Sequence, residues 1–150
     1  MSATDFISDN DQILIVKAIE NAELKTSGEI KVHLEPRCNR NALRRAAKVF
    51  RLLEMEKTQK RNGVLIYVAY KSCKFSIVGD RGINEVVPSD FWEEIKNGME
   101  KSFGESKFAE GIINAIDATG DALRQYFPYE EGDVNERSND ISFGGDCHEK

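Results

Sequence analysis

Three short glycine-containing segments carry the side chains whose types suit ligand chemistry. They are Ser27-Gly28-Glu29, Arg61-Asn62-Gly63 and Gly79-Asp80-Arg81-Gly82. Carboxylate and amide oxygens are the ligands that calcium and magnesium take in proteins. Guanidinium groups are the side chains that clamp phosphate. If the segments meet, they would suit a divalent cation held by Glu29 and Asp80, or a phosphate held between Arg61 and Arg81.

The strands next to these segments decide whether they meet. Residues 29–35 alternate between polar and apolar, which predicts a strand with one buried face near a sheet edge. Residues 61–70 contain a nearly unbroken apolar run, which predicts a central strand covered on both faces. Residues 74–78 alternate again after a short polar turn, which predicts a hairpin partner.

A helix between the first two strands makes them parallel, with a right-handed connection, and the hairpin makes the third strand antiparallel. The starts of the first two strands and the end of the third should therefore lie at the same end of a mixed sheet. We predict a ligand-binding rim there, made of Glu29, Asn62, Asp80 and Arg81.

A simpler interpretation of the rim also fits the residues. Turns collect Gly, Asp, Asn and Ser for conformational reasons, so these segments would end strands without binding anything, with Glu29 and Arg81 as a solvated ion pair. On residue types alone this interpretation is the more economical one. Gly79-Asp-Arg-Gly82 is also no phosphate loop, because it lacks the Lys-Ser/Thr pair and the following helix.

A basic segment forms a second candidate surface. Between Lys31 and Arg61 there are 10 basic residues and 3 acidic ones. Four arginines cluster around the start of the predicted second helix: Arg37, Arg40, Arg44 and Arg45. This patch would fit a protein partner, a lipid headgroup, RNA or the chain's own acidic tail, and a solvated helix face explains it equally well. No aromatic residue is interleaved with the arginines, which disfavours nucleic-acid binding.

Overall composition indicates one cytoplasmic domain. The 150 residues are 40% hydrophobic with a net charge of −5, which fits an ordinary soluble core and argues against general nucleic-acid binding. No apolar run reaches bilayer length, and the N-terminus does not resemble a signal peptide. The cysteines, Cys38, Cys73 and Cys147, form no CxxC pair, so we expect reduced thiols and no structural zinc.

Helical periodicity completes a three-layer α/β/α sandwich with a small mixed β-sheet. Helices are predicted from Ser8 as N-cap, from Leu43 to before Asn62, from Phe91 to Ser102, and from Lys107 to Phe127. Residues 83–87 fit either a short helical turn or an extended link. Gly111 and Gly120 interrupt the last helix, which indicates close packing of that helix on the sheet.

The composition changes after residue 127. Residues 128–150 hold seven acids against Arg137 and Lys150, which predicts a mostly disordered acidic tail behind a domain of residues 1–127. The apolar piece Ile141-Ser-Phe-Gly-Gly145 is expected to be unstructured, with a docking motif as the alternative. His33 stands alone on the polar side of the first strand, so no nucleophile pair or metal cluster is assigned.

Four motifs in this order resemble the TPM domain family, once labelled TPM phosphatases. They are Thr26-Ser-Gly-Glu-Ile30, Asn62-Gly-Val-Leu-Ile66, Phe75-Ser-Ile-Val-Gly79 and Phe108-Ala-Glu-Gly-Ile112, within residues 8–127. The resemblance implies a three-layer α/β/α sandwich. Some relatives are described as acid phosphatases and some bind calcium.

Glu29, Asn62 and Gly79 match the family pattern, whereas Asp80 and Arg81 stand where secreted members usually carry Tyr-Gly. We therefore expect a TPM-like binding and interaction module, ion-binding and linked to an envelope assembly, without a signal peptide or membrane anchor. The alternative is a metal-assisted phosphatase acting on phosphomonoesters. In it, Glu29 and Asp80 would hold a cation that activates water, and Arg81 would bind the phosphate.

Overall fold

A computed structural model of the chain describes residues 6–129 and 140–144. The helices are α1 (Asp9–Glu23), α2 (Ala42–Leu52), α3 (Arg81–Asn84), α4 (Phe91–Gly104) and α5 (Phe108–Tyr126). The strands are β1 (Glu29–Glu35), β2 (Gly63–Ala69), β3 (Lys74–Gly79) and β4 (Ser142–Phe143), and a 3₁₀ turn spans Met55–Lys57.

The sheet is mixed and has the order β3-β2-β1-β4. β1 runs parallel to β2 with Glu29 opposite Gly63, and β3 runs antiparallel to β2 with Gly79 opposite Val64. These relations confirm the predicted directions of the first three strands. A fourth strand, β4, pairs parallel with β1.

Helices cover both faces of this sheet, as expected when central strands are apolar on both sides. One face of β2 (Val64, Ile66, Val68) joins a core with α1, α4 and α5. Its other face (Leu65, Tyr67, Ala69) joins a smaller core under α2 with Val49 and Phe50. The three-layer α/β/α arrangement is therefore confirmed.

β1 differs from the predicted half-solvated strand. It lies between β2 and β4, and its polar residues His33 and Glu35 are only 6% and 0% exposed. The prediction of a wet polar face is therefore wrong. Alternating polar residues give the same sequence pattern whether they face water or buried polar partners.

The C-terminal piece also differs from the expected unstructured segment. Ile141 is 9% exposed, and the Gly144 amide donates to the Leu34 carbonyl at 2.9 Å. The edge of β1 offers unpaired backbone groups, and pairing with β4 satisfies them. Residues 130–139 and 145–150 of the expected acidic tail lie outside the described residues.

Several helix boundaries have a clear local cause. α2 ends well before Asn62, because Glu54 takes a left-handed conformation (φ 59°) that a helix cannot continue through. The sequence predicts that residues 83–87 form either a short helical turn or an extended link. The helical turn is closer to the structure, because α3 begins after Asp80 as its N-cap and ends at Asn84. Gly111 and Gly120 permit close packing on neighbouring helices rather than on the sheet, because an added Cβ would lie 2.9 Å from Ser102 Cβ or 2.8 Å from Ala22 Cβ.

Candidate functional site: the rim at the starts of β1 and β2

The three predicted segments meet at one end of the sheet. The Glu29 amide donates to the Asn62 carbonyl at 3.3 Å, and the Asp80 amide donates to the Gly63 carbonyl at 3.0 Å. The Gly82 amide donates to the Arg61 carbonyl, also at 3.0 Å. Backbone hydrogen bonds therefore fix the relative positions of all three segments.

Asp80 is bound by Arg61. The Arg61 Nε donates to Asp80 Oδ2 at 2.7 Å, and Nη2 donates to Oδ1 at 2.9 Å. The Arg81 amide also donates to Asp80 Oδ1 at 2.8 Å, which caps α3. The side chain of Asp80 is 6% exposed, whereas Arg81 is exposed to solvent. Both oxygens of this carboxylate are therefore already engaged.

A partly buried carboxyl that the sequence did not reveal lies beside Glu29. Glu23, the last residue of α1, accepts a hydrogen bond from the Ile30 amide at 2.9 Å. Burial raises the pKa of Glu23 from 4.5 to about 7; the Ile30 hydrogen bond opposes this rise, and the charge of Glu29 adds to it. The only signal in the sequence is an acid in the last turn of a helix, where the helix dipole disfavours negative charge.

Unpartnered polar atoms concentrate at this end of the sheet. Among the described residues, four buried side-chain atoms have no hydrogen-bond partner: Ser27 Oγ, Glu56 Oε2, Asn62 Nδ2 and Thr119 Oγ1. Asn62 belongs to the rim and Ser27 to the first of its three segments, and Glu56 lies near enough to Arg61 for its charge to raise the Arg61 pKa, after the larger effect of the Asp80 hydrogen bonds. Folded proteins leave few such atoms unpaired, and an ion, a ligand or a water bound at the rim would each satisfy them.

Residues 1–122 match the family model of the TPM domain. The chain belongs to the TPM domain family. Its fold is similar to the NMR structure of the BA42 protein from the psychrophilic bacterium Bizionia argentinensis, with a TM-score of 0.88 and 42% sequence identity. That similarity covers 95% of this chain and 99% of BA42. No curated protein matches the chain.

The assignment of a metal to Glu29 and Asp80 stays a prediction for this TPM domain. Within residues 6–129 and 140–144, no group of three or more His, Cys, Asp or Glu side chains is arranged to hold a metal ion. Glu29 is 7% exposed, so any ion there would be largely removed from water. Asn62 and the backbone carbonyls of the rim are the further oxygen donors within this neighbourhood.

The predicted arginine patch of the TPM domain divides into two parts. Arg37, Arg40 and Arg44 are exposed. The side chain of Arg45 is only 14% exposed, and it binds Glu35 through Nε to Oε2 and Nη2 to Oε1, both at 2.9 Å. Arg45 therefore has a structural role, and a partner surface at the other three arginines stays a prediction. No helix in the described part of the chain is both long and apolar enough to cross a bilayer.

Glu35 is the centre of a buried cluster that the sequence did not reveal. The Tyr67 hydroxyl donates to Glu35 Oε2, and His33 Nε2 lies 3.1 Å from Glu35 Oε1. Burial acts to raise the pKa of Glu35, but hydrogen bonds from His33, Arg45 and Tyr67 outweigh it and lower the pKa from 4.5 to about 2. The available signal was the pair of polar residues two apart on β1, with Tyr67 opposite His33 in the register.

Proposed function

We propose that this TPM domain is a binding module whose rim takes a divalent cation, calcium or magnesium. The observation that supports this most directly is that three buried polar atoms without a hydrogen-bond partner lie on Ser27 and Asn62 of the rim segments and on Glu56 of the preceding 3₁₀ turn. Rotating the Asn62 amide by 180° would replace its unpartnered nitrogen with an oxygen, the atom type that these cations bind. The buried carboxylate of Glu29 supplies negative charge at the same place.

The Glu23–Glu29 pair gives this proposal an electrostatic reason. Burial of Glu23 is the main cause of its raised pKa of about 7, and repulsion by the Glu29 carboxylate adds to it, so Glu23 exchanges its proton near neutral pH. A cation would relieve the same repulsion and displace that proton. Cation binding should therefore release a proton near neutral pH, strengthen as the pH rises through 7 and level off above it.

Asp80 has a different role in this proposal. Both of its oxygens already accept hydrogen bonds from Arg61, and the positive charge of that guanidinium would repel a cation beside them. We assign Asp80 to fixing the rim, and Glu29 to binding the ion because it is the buried carboxylate paired through the backbone with Asn62. Arg81, which is exposed at the start of α3, remains available for an anionic group of a larger ligand.

A titration of the full chain with CaCl₂, and separately with MgCl₂, followed by NMR, tests the proposal. The amides of Gly28, Glu29 and Gly63 should shift, and Glu29→Gln should remove the shifts. Glu20→Gln is the matched control, because Glu20 is exposed one turn before Glu23 and should leave binding unchanged. Rim amides that stay still at millimolar ion would overturn the proposal.

The hydrolase alternative is favoured by the position of Glu23, a partly buried carboxyl beside Glu29 whose pKa is raised by burial to about 7. A carboxyl group that titrates close to pH 7 is suited to general acid–base catalysis. Turnover of an aryl phosphate would decide between the two functions. Turnover that is lost in Glu23→Gln supports the hydrolase, whereas cation binding without any turnover supports the binding module.

A further inference from the structure

The last described segment, Asp140–Gly144, lies along the edge of β1. Ser142 is opposite His33 and Phe143 is opposite Leu34, in parallel register. The Gly144 amide extends the pairing by donating to the Leu34 carbonyl at 2.9 Å. This arrangement is that of an extended peptide added to a sheet edge, in which backbone hydrogen bonds give affinity and alternate side chains give specificity.

Two positions of the segment make contacts that other residues would not make. The Ser142 Oγ lies 2.8 Å from His33 Nδ1. A Cβ at position 144 would lie 2.7 Å from Glu35 Oε1 and 2.8 Å from His33 Nε2. Serine is therefore recognised by a hydrogen bond, and only glycine fits at position 144.

The Glu35 side chain next to position 144 cannot easily move to admit a larger residue there. Glu35 is 0% exposed and is held by Arg45 and Tyr67 as well as by His33. Moving its carboxylate away from a side chain at position 144 would break charge-assisted hydrogen bonds in a buried site. The selection for glycine is therefore enforced by the Glu35 cluster.

The other two positions of the segment, 141 and 143, differ in how far their side chains are buried. Ile141 is buried at 9% exposure, whereas Phe143 is 50% exposed. The segment therefore presents a buried apolar residue, a serine, a half-exposed residue and a glycine. It is also short, since only Ser142 and Phe143 form regular strand.

We propose that the β1 edge and the Glu35 cluster form a peptide-binding site for extended segments of the pattern apolar–Ser–any–Gly, with the chain's own residues 141–144 as the resident occupant. A tethered segment acts at an effective concentration of about millimolar. The resident segment therefore excludes dilute competing peptides, and release of it opens the site. The site is independent of the cation rim, which lies at the opposite end of β1.

The proposal is tested by releasing the resident segment from the site in the full chain and then adding a free peptide that can bind there. Gly144→Ala should release the resident segment and shift the NMR amide signals of His33 and Leu34. A synthetic nonapeptide with the sequence of residues 138–146 should then return those two signals toward their wild-type positions at millimolar concentration. In the wild-type chain the same peptide should leave the two signals almost unchanged, because the resident segment has the same sequence and already holds them at their wild-type positions.

Peptide variants provide the matched controls. A nonapeptide carrying Gly144→Ala should fail to restore the signals, and one carrying Phe143→Ser should restore them, because Phe143 is half exposed and Ser142 and Gly144 are unchanged. Ser142→Ala in the full chain is a second opening variant, which removes only the His33 hydrogen bond and leaves Gly144 in place. The proposal is overturned if neither chain variant shifts His33 and Leu34, or if an opened chain ignores the wild-type nonapeptide.

Discussion

Arg61 binds Asp80 through two parallel hydrogen bonds, of 2.7 Å and 2.9 Å, and so connects the segment before β2 to the segment after β3. The same aspartate caps α3 through the Arg81 amide. Bidentate pairing between guanidinium and carboxylate fixes geometry as well as charge. The Asp80 side chain therefore fixes the end of the hairpin, the start of α3 and the position of Arg61 beside the rim.

Asp80→Ala should lower the free energy of unfolding by at least about 1 kcal/mol, the usual cost of losing a helix N-cap, with a further loss from Arg61. Asp80→Asn should cost less, because asparagine also caps helices. Urea denaturation measures both. Asp90→Ala is the control: Asp90 precedes α4 without any side-chain capping bond and should be nearly neutral. Equal effects at Asp80 and Asp90 would show that the capping interpretation is wrong.

Two glycines should respond to alanine with opposite signs. A Cβ on Gly82 would lie 2.2 Å from the Lys60 carbonyl oxygen and 2.7 Å from that of Arg61, both backbone atoms of the rim. Gly82→Ala should therefore destabilise the domain by about 1–3 kcal/mol. Gly98 is exposed inside α4 with nothing within 4 Å of the added atom, so Gly98→Ala should stabilise by about 0.5–1 kcal/mol. Thermal denaturation of both variants checks this, and shifts of the same sign would contradict it.

The rim could be predicted from the sequence because it depends on strand directions alone. An apolar run, a helical crossover and a short turn fix those directions without any knowledge of side-chain contacts. The choice of Arg61 over Arg81 as the partner of Asp80 could not be predicted. It depends on the local backbone, in which Arg61 adopts a positive φ of 51°.

The Glu35 cluster and β4 escaped prediction for different reasons. His33 and Glu35 alternate with apolar residues as solvated residues do, and only the tertiary fold brings Arg45 over them. β4 has two residues, which is too short to show any period. Both features depend on contacts between residues far apart in the chain, such as His33 with Ser142.

Because of Glu35, the free energy of unfolding should decrease at low pH. Its pKa is about 2 in the folded protein against an ordinary 4.5, so its stabilising contribution is complete above pH 4.5 and is lost as the pH falls toward 2. Glu35→Gln should remove this part of the pH dependence. It should also lower the free energy of unfolding at pH 7 by about 3 kcal/mol, because Arg45 would keep a largely buried charge without its partner.

Urea denaturation of wild type and Glu35→Gln at several pH values between 2 and 7 measures both effects. Glu54→Gln is a suitable control, because the Glu54 side chain is 57% exposed and pairs with Lys57 at the surface. An unchanged acid dependence in Glu35→Gln would rule out the Glu35 cluster as its source.

Glu23 should have the opposite effect on the pH dependence. Its folded pKa of about 7 lies above its ordinary 4.5, so its contribution is most favourable below pH 4.5 and is lost as the pH rises through 7. At pH 8 the buried charge opposes folding. Glu23→Gln should therefore stabilise the domain there by up to about 3 kcal/mol, since the amide oxygen can still accept the Ile30 hydrogen bond.

The comparison that checks this prediction is urea denaturation at pH 5 and pH 8, without added divalent cations. The advantage of Glu23→Gln over wild type should be present at pH 8 and nearly absent at pH 5, while Glu20→Gln, which changes an exposed acid, should show no such difference. If the Glu23→Gln advantage is the same at both values, Glu23 is ionised throughout this range. The electrostatic reason given for a cation at the rim would then fail with it.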